Sequence, residues 1–263
     1  MAEQNGICAV FTGQEITAIH IEKEGLKKTG VRIGLWHRNE GGYIMAVRIE
    51  DLETQVMRLK EQVAELSQAN DYIEIWKLMS TYSHLYHVFK RSEIPRLFAQ
   101  KTPGVTVEIE DGGVYEGLEG VEKVFCGILS EKKHMTPGFL GVHMTVNPVI
   151  EFNKKRTRAK GVWHSHGSVT FKVDEKLTAF WCLGKYDMEY VKEDGKWKFL
   201  KFAYRLTYMC PYDKGWIDEP QGASITAGHP QYPPDNPSTY HMPYNRYRIN
   251  VFQPPPPESF DDE

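Results

Sequence analysis

The chain has 263 residues, of which 41% are hydrophobic and 25% are charged, a composition typical of a globular protein with one large or two small domains. Its net charge of −3 offers no basic surface for nucleic acid, so we expect no nucleic-acid partner. No long apolar run and no signal peptide are visible. We therefore expect no membrane partner and a cytoplasmic location with reduced thiols.

The first 44 residues show no sustained helical or strand period. Glu40, Gly41 and Gly42 stand shortly before Met45, and their codons can spell GGAGG, which is how a translated ribosome-binding site looks. We interpret residues 1–44 as a disordered or mis-annotated N-terminal extension and Met45 as the native start. The alternative is a genuine but poorly ordered extension.

Two helices are predicted next. Apolar residues over about 46–68 recur at spacings of 3, 4, 3, 4 and 3, which is a heptad pattern. Asn70 and Asp71 are typical helix caps, so a second helix is expected to begin there and to carry Tyr82. The heptad helix either packs on its own barrel or associates with another copy. Its apolar residues are Ile49, Leu52, Val56, Leu59, Val63 and Leu66.

The rest of the domain predicts helices beside an antiparallel sheet. A short helix at Pro95, a hairpin over 105–116 and a helix over 117–133 precede a meander whose last turn is Asp194-Gly195. Helices segregated from an antiparallel sheet indicate an α+β fold, here a curved cone-like barrel around the N-terminal helices, with a pocket at its mouth. The predicted long strands are about 142–152, 157–172, 177–192 and 196–209.

The composition changes after Trp216. Residues 217–263 are rich in Pro, Tyr, Asn and Asp, and Pro254–Pro257 are consecutive. Such a segment forms no core of its own, yet it carries several aromatic residues. We therefore divide the chain into a barrel domain over 45–216 and a tail over 217–263, which wraps the barrel or a neighbouring subunit.

Short motifs on these elements suggest a family. They are Tyr115-Glu116-Gly117-Leu118-Glu119-Gly120, His143 with Asn147-Pro148, Gly184-Lys185-Tyr186-Asp187 and Asp194-Gly195-Lys196-Trp197. With this layout, residues 48–216 resemble the SnoaL-like family of the nuclear transport factor 2-like superfamily. The resemblance implies a fold that hosts cofactorless dehydratases, isomerases, cyclases and aromatic lyases, besides non-enzymatic binding modules.

The resemblance also implies roles for two residues. His143 matches the acid/base histidine of dehydratase members, and an imidazole can exchange a proton at cellular pH. Tyr82 matches a helix tyrosine that donates a proton to a departing oxygen or stabilises an oxyanion. Many members have an aspartate five residues after that tyrosine, where this chain has His87. We expect His87 to replace it in the substrate site.

Four further candidates lie on the long strands. His164 and His166 are two residues apart and share one face of their strand. We expect that face to point inward, which makes His166 a catalytic and His164 a substrate-binding candidate. The alternative is that the two histidines face outward as surface residues and Trp163 points in. Arg205 could hold a phenolate or carboxylate, and Tyr186 is a weaker pocket candidate.

These features predict a cofactor-independent lyase. The substrate is expected to be a hydrophobic, hydroxylated aromatic or polycyclic molecule that loses water or a small aldehyde, with no cofactor and no metal. The alternatives are a non-catalytic binding or assembly module, and isomerase or cyclase chemistry in the same pocket. The apolar heptad helix and the aromatic tail also predict a homo-oligomer, either a dimer or a trimer.

Overall fold

The computed structural model describes residues 19–20, 34–38, 44–47, 49–221, 229–240 and 242–261. The chain divides into two compact units, Met1–Ala69 and Asn70–Glu263. Within residues 1–44 the sequence analysis found no strand, yet the structure has two, and most of that segment lies outside the described residues. These strands join a third in an antiparallel sheet: β1 (Ile19–His20), β2 (Gly34–Arg38) and β3 (Ile44–Val47).

A single long helix, α1 (Ile49–His87), takes the place of the two predicted helices. The predicted break at Asn70 and Asp71 is wrong because the carboxylate of Asp71 is used in the tertiary structure. It is buried, accepts a hydrogen bond from the Trp197 indole N–H at 3.0 Å and forms an ion pair with Lys192. The chain at Asp71 therefore continues as helix.

The predicted heptad helix is confirmed from Ile49 onward as the N-terminal part of α1. Its apolar side chains are exposed in the structure, and they are Leu52, Val56, Leu59, Val63 and Leu66. By contrast, the part of α1 from Ile75 onward has buried apolar side chains on one side, beginning with Ile75 and Met79.

The segment between α1 and the long strands is more broken than its sequence predicts. The predicted hairpin over 105–116 is confirmed, since β4 and β5 pair antiparallel. The predicted helix over 117–133 is divided into three pieces, of which the middle one is a wide π-helical segment with mostly buried side chains. The elements are a 3₁₀ helix (Arg91–Leu97), β4 (Thr106–Ile109), β5 (Val114–Glu116), α2 (Gly117–Glu122), the π segment (Lys123–Ile128) and α3 (Glu131–His134).

Three long strands dominate the second unit: β8 (Arg158–Val173), β9 (Lys176–Glu193) and β10 (Lys196–Pro211). Asp194 and Gly195 both have positive φ, 49° and 75°, as a type I′ hairpin turn requires, so the turn predicted there is confirmed. The seven-stranded sheet has the order β5-β4-β10-β9-β8, and β8 then pairs with both β6 and β7. All pairs are antiparallel except β10 with β4.

The predicted strand over 142–152 is two strands, β6 (Leu140–His143) and β7 (Val146–Phe152). Met144 and Thr145 lie between the two strands, and both strands pair with β8. Within β7, Asn147 has a φ of 49° and lies at a bulge, where the register with β8 shifts between Val146 and Val149.

The curved sheet packs against α1, and this arrangement confirms the predicted α+β cone. Trp76 on α1 packs against Trp163 on β8 with ring centroids 6.0 Å apart, and Tyr82 packs against Phe202 on β10 at 4.7 Å. We call the sheet face that contacts α1 the inner face and the opposite face the outer face. Among the described residues, no helix combines the length and the apolar character needed to cross a membrane.

The described part of the tail follows α4 (Gly215–Asp218) and contacts the barrel of its own chain. Asn236 forms a β-bridge with Val114, and the Tyr244 backbone N–H donates to the Thr207 carbonyl at 2.7 Å. Backbone hydrogen bonds of this kind hold the tail along the sheet although it has little regular structure.

Candidate active site

One cavity lies between α1 and the inner face of the sheet. Its volume is about 20 Å³, which leaves room for about one water molecule. Five elements and the end of the π segment contribute its walls. The lining residues are Tyr82, Tyr86, Ile109, Glu110, Leu129, His143, Tyr186 and Tyr204.

Two features place His143 in this cavity: its backbone is hydrogen-bonded to α1, and the residue opposite it on β8 is a glycine that leaves room for its ring. Its N–H donates to His87 Nε2 at 2.8 Å, and its carbonyl accepts from Ser83 Oγ at 3.0 Å, so α1 fixes the end of β6. Gly167 is its partner on β8. A Cβ at Gly167 would lie 2.9 Å from His143 Nδ1 and 2.4 Å from the Val142 carbonyl oxygen. Glycine therefore makes the room that the imidazole occupies.

Burial, followed by the nearby His87 and Arg91, lowers the pKa of His143 to about 4. The imidazole is therefore neutral at cellular pH. Its Nδ1 lies 3.6 Å from Cys182 Sγ. Burial, followed by the charge of Glu110, raises the pKa of Cys182 to about 12, so the thiol keeps its proton and is not a thiolate nucleophile.

Three of the lining residues are buried tyrosines: Tyr82 on α1, Tyr186 on β9 and Tyr204 on β10. The hydroxyl oxygens of Tyr82 and Tyr186 are 3.3 Å apart, so one donates to the other. Burial is the largest cause that raises the pKa of Tyr82, Tyr186 and Tyr204. These phenols are consequently neutral hydrogen-bond donors.

Glu110 is a lining residue that the sequence analysis missed. Its backbone φ of 56° breaks the alternation at the end of β4, so consecutive residues Ile109 and Glu110 both line the cavity. Burial is the main cause of the raised pKa of Tyr86 and of Tyr204, and the negative charge of Glu110 adds to it in both. Nothing in the local sequence signals this role, because a charged residue before a turn is ordinary.

Arg91 is the second residue that the sequence analysis missed. It is 1% exposed, and its guanidinium carbon lies 4.0 Å from the centre of the Tyr86 ring. It donates to the Leu129 carbonyl at 2.8 Å. A positive charge is thus fixed behind the cavity wall, where it opposes the rise in the pKa of Tyr86.

The structure brings together some of the predicted site residues. His143, Tyr82 and Tyr186 line one cavity. His87 lies outside the lining, where its ring accepts the His143 N–H, so the prediction that His87 replaces the aspartate in the substrate site is not supported by its position. Burial, followed by the nearby His84, lowers the pKa of His87.

The predicted inward orientation of His164 and His166 is wrong. The residues between and before them, Trp163 and Ser165, are fully buried on the inner face, and strand alternation turns the two histidines outward. His164 packs on Phe252 of the tail at 5.2 Å, and His166 is exposed and stacks on Trp181 at 5.4 Å. The large Trp163 ring occupies the inner face, and its N–H donates to the Tyr190 hydroxyl at 2.8 Å.

Arg205 also lies on the outer face, because its neighbour Tyr204 points into the cavity. Its Nη1 donates to Glu108 Oε2 at 2.6 Å and to Thr239 Oγ1 at 3.0 Å. Ser238 and Thr239 donate to the same carboxylate. Arg205 therefore fastens the tail to the sheet, and its position does not support the prediction that it binds substrate.

The histidines of the long strands raise the question of a metal site. Among the described residues, no group of three or more His, Cys, Asp or Glu side chains is arranged to hold a metal ion. The polar groups of the cavity are instead one imidazole, one carboxylate and several phenols, which suits proton transfer and hydrogen bonding.

Comparison with known proteins identifies the family. The SnoaL-like domain family matches residues 67–203, a little over half of the chain. The chain belongs to the SnoaL-like domain family. This confirms the resemblance that the motifs indicated.

Several solved structures are similar to the chain at low identity. The chain is similar to hexachlorocyclohexane dehydrochlorinase LinA Type2, with 19% identity, a TM-score of 0.46, and coverage of 56% of this chain and 92% of that one. It is also similar to an NTF2-like protein with a cystatin-like fold from Novosphingobium aromaticivorans, with 15% identity, a TM-score of 0.44, and coverage of 56% and 89%. A comparison with curated protein sequences gives no significant match.

Proposed function

We propose that this protein is a cofactor-independent lyase that acts on a small, hydrophobic, hydroxylated aromatic molecule. The observation that carries the proposal is the half-buried, neutral imidazole of His143 in a cavity lined with phenols. Membership of the SnoaL-like family supports the same class of reaction, because the resemblance implies that this fold hosts cofactorless dehydratases and lyases.

In the proposed reaction His143 accepts a proton from the substrate. For a dehydration, His143 takes the proton of a C–H bond, the electron pair of that bond forms the C=C bond, and the C–O bond breaks. The departing hydroxyl receives the proton from His143 and leaves as water, while a tyrosine such as Tyr82 donates a hydrogen bond to its oxygen. For a retro-aldol cleavage, His143 takes the hydroxyl proton, the C–O bond becomes the C=O of a small aldehyde, and the electron pair of the broken C–C bond stays on the remaining carbon, which then takes the proton back from His143. Both reactions use the same groups in the same positions.

The size of the cavity bears on the proposed substrate. Its volume of about 20 Å³ has room for about one water molecule, so an aromatic substrate enters only if the lining side chains move apart. We therefore favour a substrate with one or two rings over the polycyclic alternative.

A non-catalytic binding module is the second candidate, and one observation favours it. General-base catalysis is most effective when the pKa of the base lies near the working pH, whereas the pKa of His143 is lowered to about 4. A lyase with this base would need a substrate whose proton is already acidic. A binding module would place no such demand on its ligand.

Turnover measurements distinguish the two candidates. Purified wild-type protein, His143→Ala and His166→Ala are incubated without cofactor with a panel of one- and two-ring hydroxylated aromatics, and products are followed by mass spectrometry. The lyase proposal expects loss of water or of an aldehyde with the wild type and with His166→Ala, and little with His143→Ala. Binding without turnover by the wild type would favour the binding module.

A further inference from the structure

A larger cavity, which we call the outer cavity, lies on the outer face of the sheet between β9, β10 and the tail. Its volume is about 360 Å³, whereas the cavity beside His143 has room for about one water molecule. An apolar cavity of about 150 Å³ binds benzene, so the outer cavity has room for an aromatic molecule of two rings. All of its described lining residues belong to the unit that begins at Asn70.

A bulge in β10 places Tyr208 in the outer cavity. Leu206, a core residue, pairs with Gly184 on β9. The register then shifts by one residue, so that Tyr208 pairs with Leu183. Without the extra residue, Thr207, the Tyr208 ring would share the inner face with Leu206. The bulge therefore turns this ring to the outer face, where it lines the cavity together with Leu183.

Aromatic rings from α4 and from the tail form further walls of the outer cavity. The Trp216 ring stacks on the Tyr208 ring, with centroids 5.1 Å apart and planes inclined by 15°. The tail contributes Tyr244 and Phe252. The backbone N–H of Tyr244 donates to the carbonyl of the bulged residue Thr207 at 2.7 Å. The walls are therefore fixed to the sheet, as in a preformed ligand site.

No charged residue is among the described residues that line the outer cavity. Two cations adjoin the lining, but they donate to backbone carbonyls of the tail. Lys185 Nζ donates to the Phe252 and Pro254 carbonyls at 2.8 Å. Arg248 donates to the Pro243 carbonyl. A charged ligand group buried here would have no ion-pair partner in the walls, and burying such a group is costly.

We propose that the outer cavity binds a neutral aromatic molecule of two rings. Cavities of this size with mostly aromatic and aliphatic walls are typical of small-molecule sites. The outer cavity lies on the opposite face of the sheet from His143, so binding there goes beyond the proposed reaction and does not depend on it.

A series of naphthalene derivatives tests this inference by binding alone. At neutral pH 2-naphthol is uncharged, 2-naphthoate is an anion and 2-naphthylmethylammonium is a cation, and all three have the same two fused rings. Calorimetric titration of the full chain measures their affinities. We expect one molecule of 2-naphthol to bind per chain, about tenfold more tightly than either ion, because the ions bring an unpaired charge into the cavity.

Two variants change the walls of the outer cavity in opposite ways. Trp216→Ala removes the stacked ring, and Leu183→Trp fills part of the cavity. Each should weaken the binding of 2-naphthol by about tenfold, and either serves if the other does not fold. Trp76→Ala is the matched control, because Trp76 lies on α1 and is 45% exposed, close to the 44% of Trp216. Trp76→Ala and His143→Ala should leave the affinity unchanged.

Several results would each overturn the inference. They are no binding of 2-naphthol, equally tight binding of either ion, an unchanged affinity in both Trp216→Ala and Leu183→Trp, or loss of binding in His143→Ala. A neighbouring copy that covers the outer cavity would prevent the binding of 2-naphthol, and Trp216→Ala would then lower the molar mass in light scattering.

The binding test and the turnover test fail separately. If 2-naphthol binds as expected but no substrate turns over, the lyase proposal fails and the outer site stands. If substrates turn over in a His143-dependent manner and 2-naphthol does not bind, the outer site fails and the lyase proposal stands.

Discussion

The two faces of strands β8, β9 and β10 use similar residue types in opposite ways. On the inner face, Tyr186 and Tyr204 line a cavity with His143, and their groups are buried and uncharged. On the outer face, Lys185 and Arg205 are charged and hold the tail. Lys185 Nζ donates to the Phe252 and Pro254 carbonyls at 2.8 Å.

The difference between the faces follows from strand parity, which determines whether a side chain lines the cavity or contacts the tail. Lys185 and Tyr186 are adjacent, as are Tyr204 and Arg205, and a shift of one residue would exchange the cavity wall with the tail contacts. Burial on the inner face favours neutral groups that bind and transfer protons, and partial solvation on the outer face suits ion pairs. The following predictions test the separation of the two faces, beginning with the largest expected effect.

Replacing one histidine on each face with alanine should give the clearest contrast in turnover. His143→Ala should lower turnover by about 10²–10⁴-fold, the range for loss of a general base. His166→Ala should change turnover by less than about twofold, because its ring is exposed and stacks on Trp181. Initial rates with the substrate found by mass spectrometry measure both. A large loss in His166→Ala with little loss in His143→Ala would show that the faces are assigned the wrong way round.

Acid should destabilise the folded protein through His143 on the inner face. Its pKa is about 4 in the folded protein and about 6.5 in the unfolded chain, so between these values the unfolded chain binds the extra proton. The contribution of His143 to the unfolding free energy is therefore fully present above pH 6.5. It is lost as the pH drops toward 4, by about 3 kcal/mol in total. Urea unfolding at several pH values should show this loss, and His143→Gln should lack it.

The pH dependence of activity follows from the same group. A base must be neutral to accept a proton, so turnover should stay constant down to about pH 5 and fall only as His143 is protonated near pH 4. The pKa of His87 is also lowered, so a smaller loss of unfolding free energy in acid should remain in His143→Gln. An activity that rises as the pH falls through 4 would contradict the role of His143 as base.

The sequence allowed prediction of the fold because that depends on local patterns. The alternation of β8–β10 and the turn at Asp194 and Gly195 come from short-range chemistry, and the structure has both. The helix break at Asp71 was predicted from an equally local signal and is wrong, because a buried ion pair with Lys192 overrides it. Local signals fail where a side chain has a distant partner.

The candidate site was predictable only in part for the same reason. His143 and Tyr82 came from the family resemblance, and both line the cavity. On β8, by contrast, the signal was present: the odd positions over 159–173 are apolar or small except Ser165, and the even positions over 158–172 are polar except Val162. This alternation turns His164 and His166 outward, and the prediction gave it too little weight. Arg91 gives no sequence signal, because its burial depends on the ring of Tyr86 above it.

Releasing the tail should affect the outer face with little effect on the inner one. Burial acts to raise the pKa of Glu108, but hydrogen bonds from Ser238 and Thr239 and the charge of Arg205 outweigh it and lower that pKa. Arg205→Ala removes this charged hydrogen bond and should cost about 1–3 kcal/mol of unfolding free energy. It should also speed proteolysis of the tail while turnover changes less than threefold.

An exposed arginine of the tail provides the control for that prediction. Arg246 lies 3.5 Å from Asp218 in an exposed ion pair, and such pairs contribute little. Arg246→Ala should leave the unfolding free energy and the rate of tail proteolysis nearly unchanged. If Arg205→Ala also abolished turnover in a protein of normal stability, Arg205 would have a role at the cavity after all.

The smallest effect on turnover is expected from the exposed seam of α1, which we define as Leu52, Val56, Leu59, Val63 and Leu66. A heptad seam that stays exposed is typical of a helix that pairs with another copy, so we propose a dimer or trimer. Leu59→Glu should dissociate the oligomer in light scattering. Gln68→Glu makes the same change of charge at an exposed residue outside the seam and should not dissociate it. Turnover should be unchanged in both, since every lining residue of the cavity follows Ala69. A monomeric wild type at working concentration would contradict the association, and loss of turnover on dissociation would show that the cavity depends on the neighbouring copy.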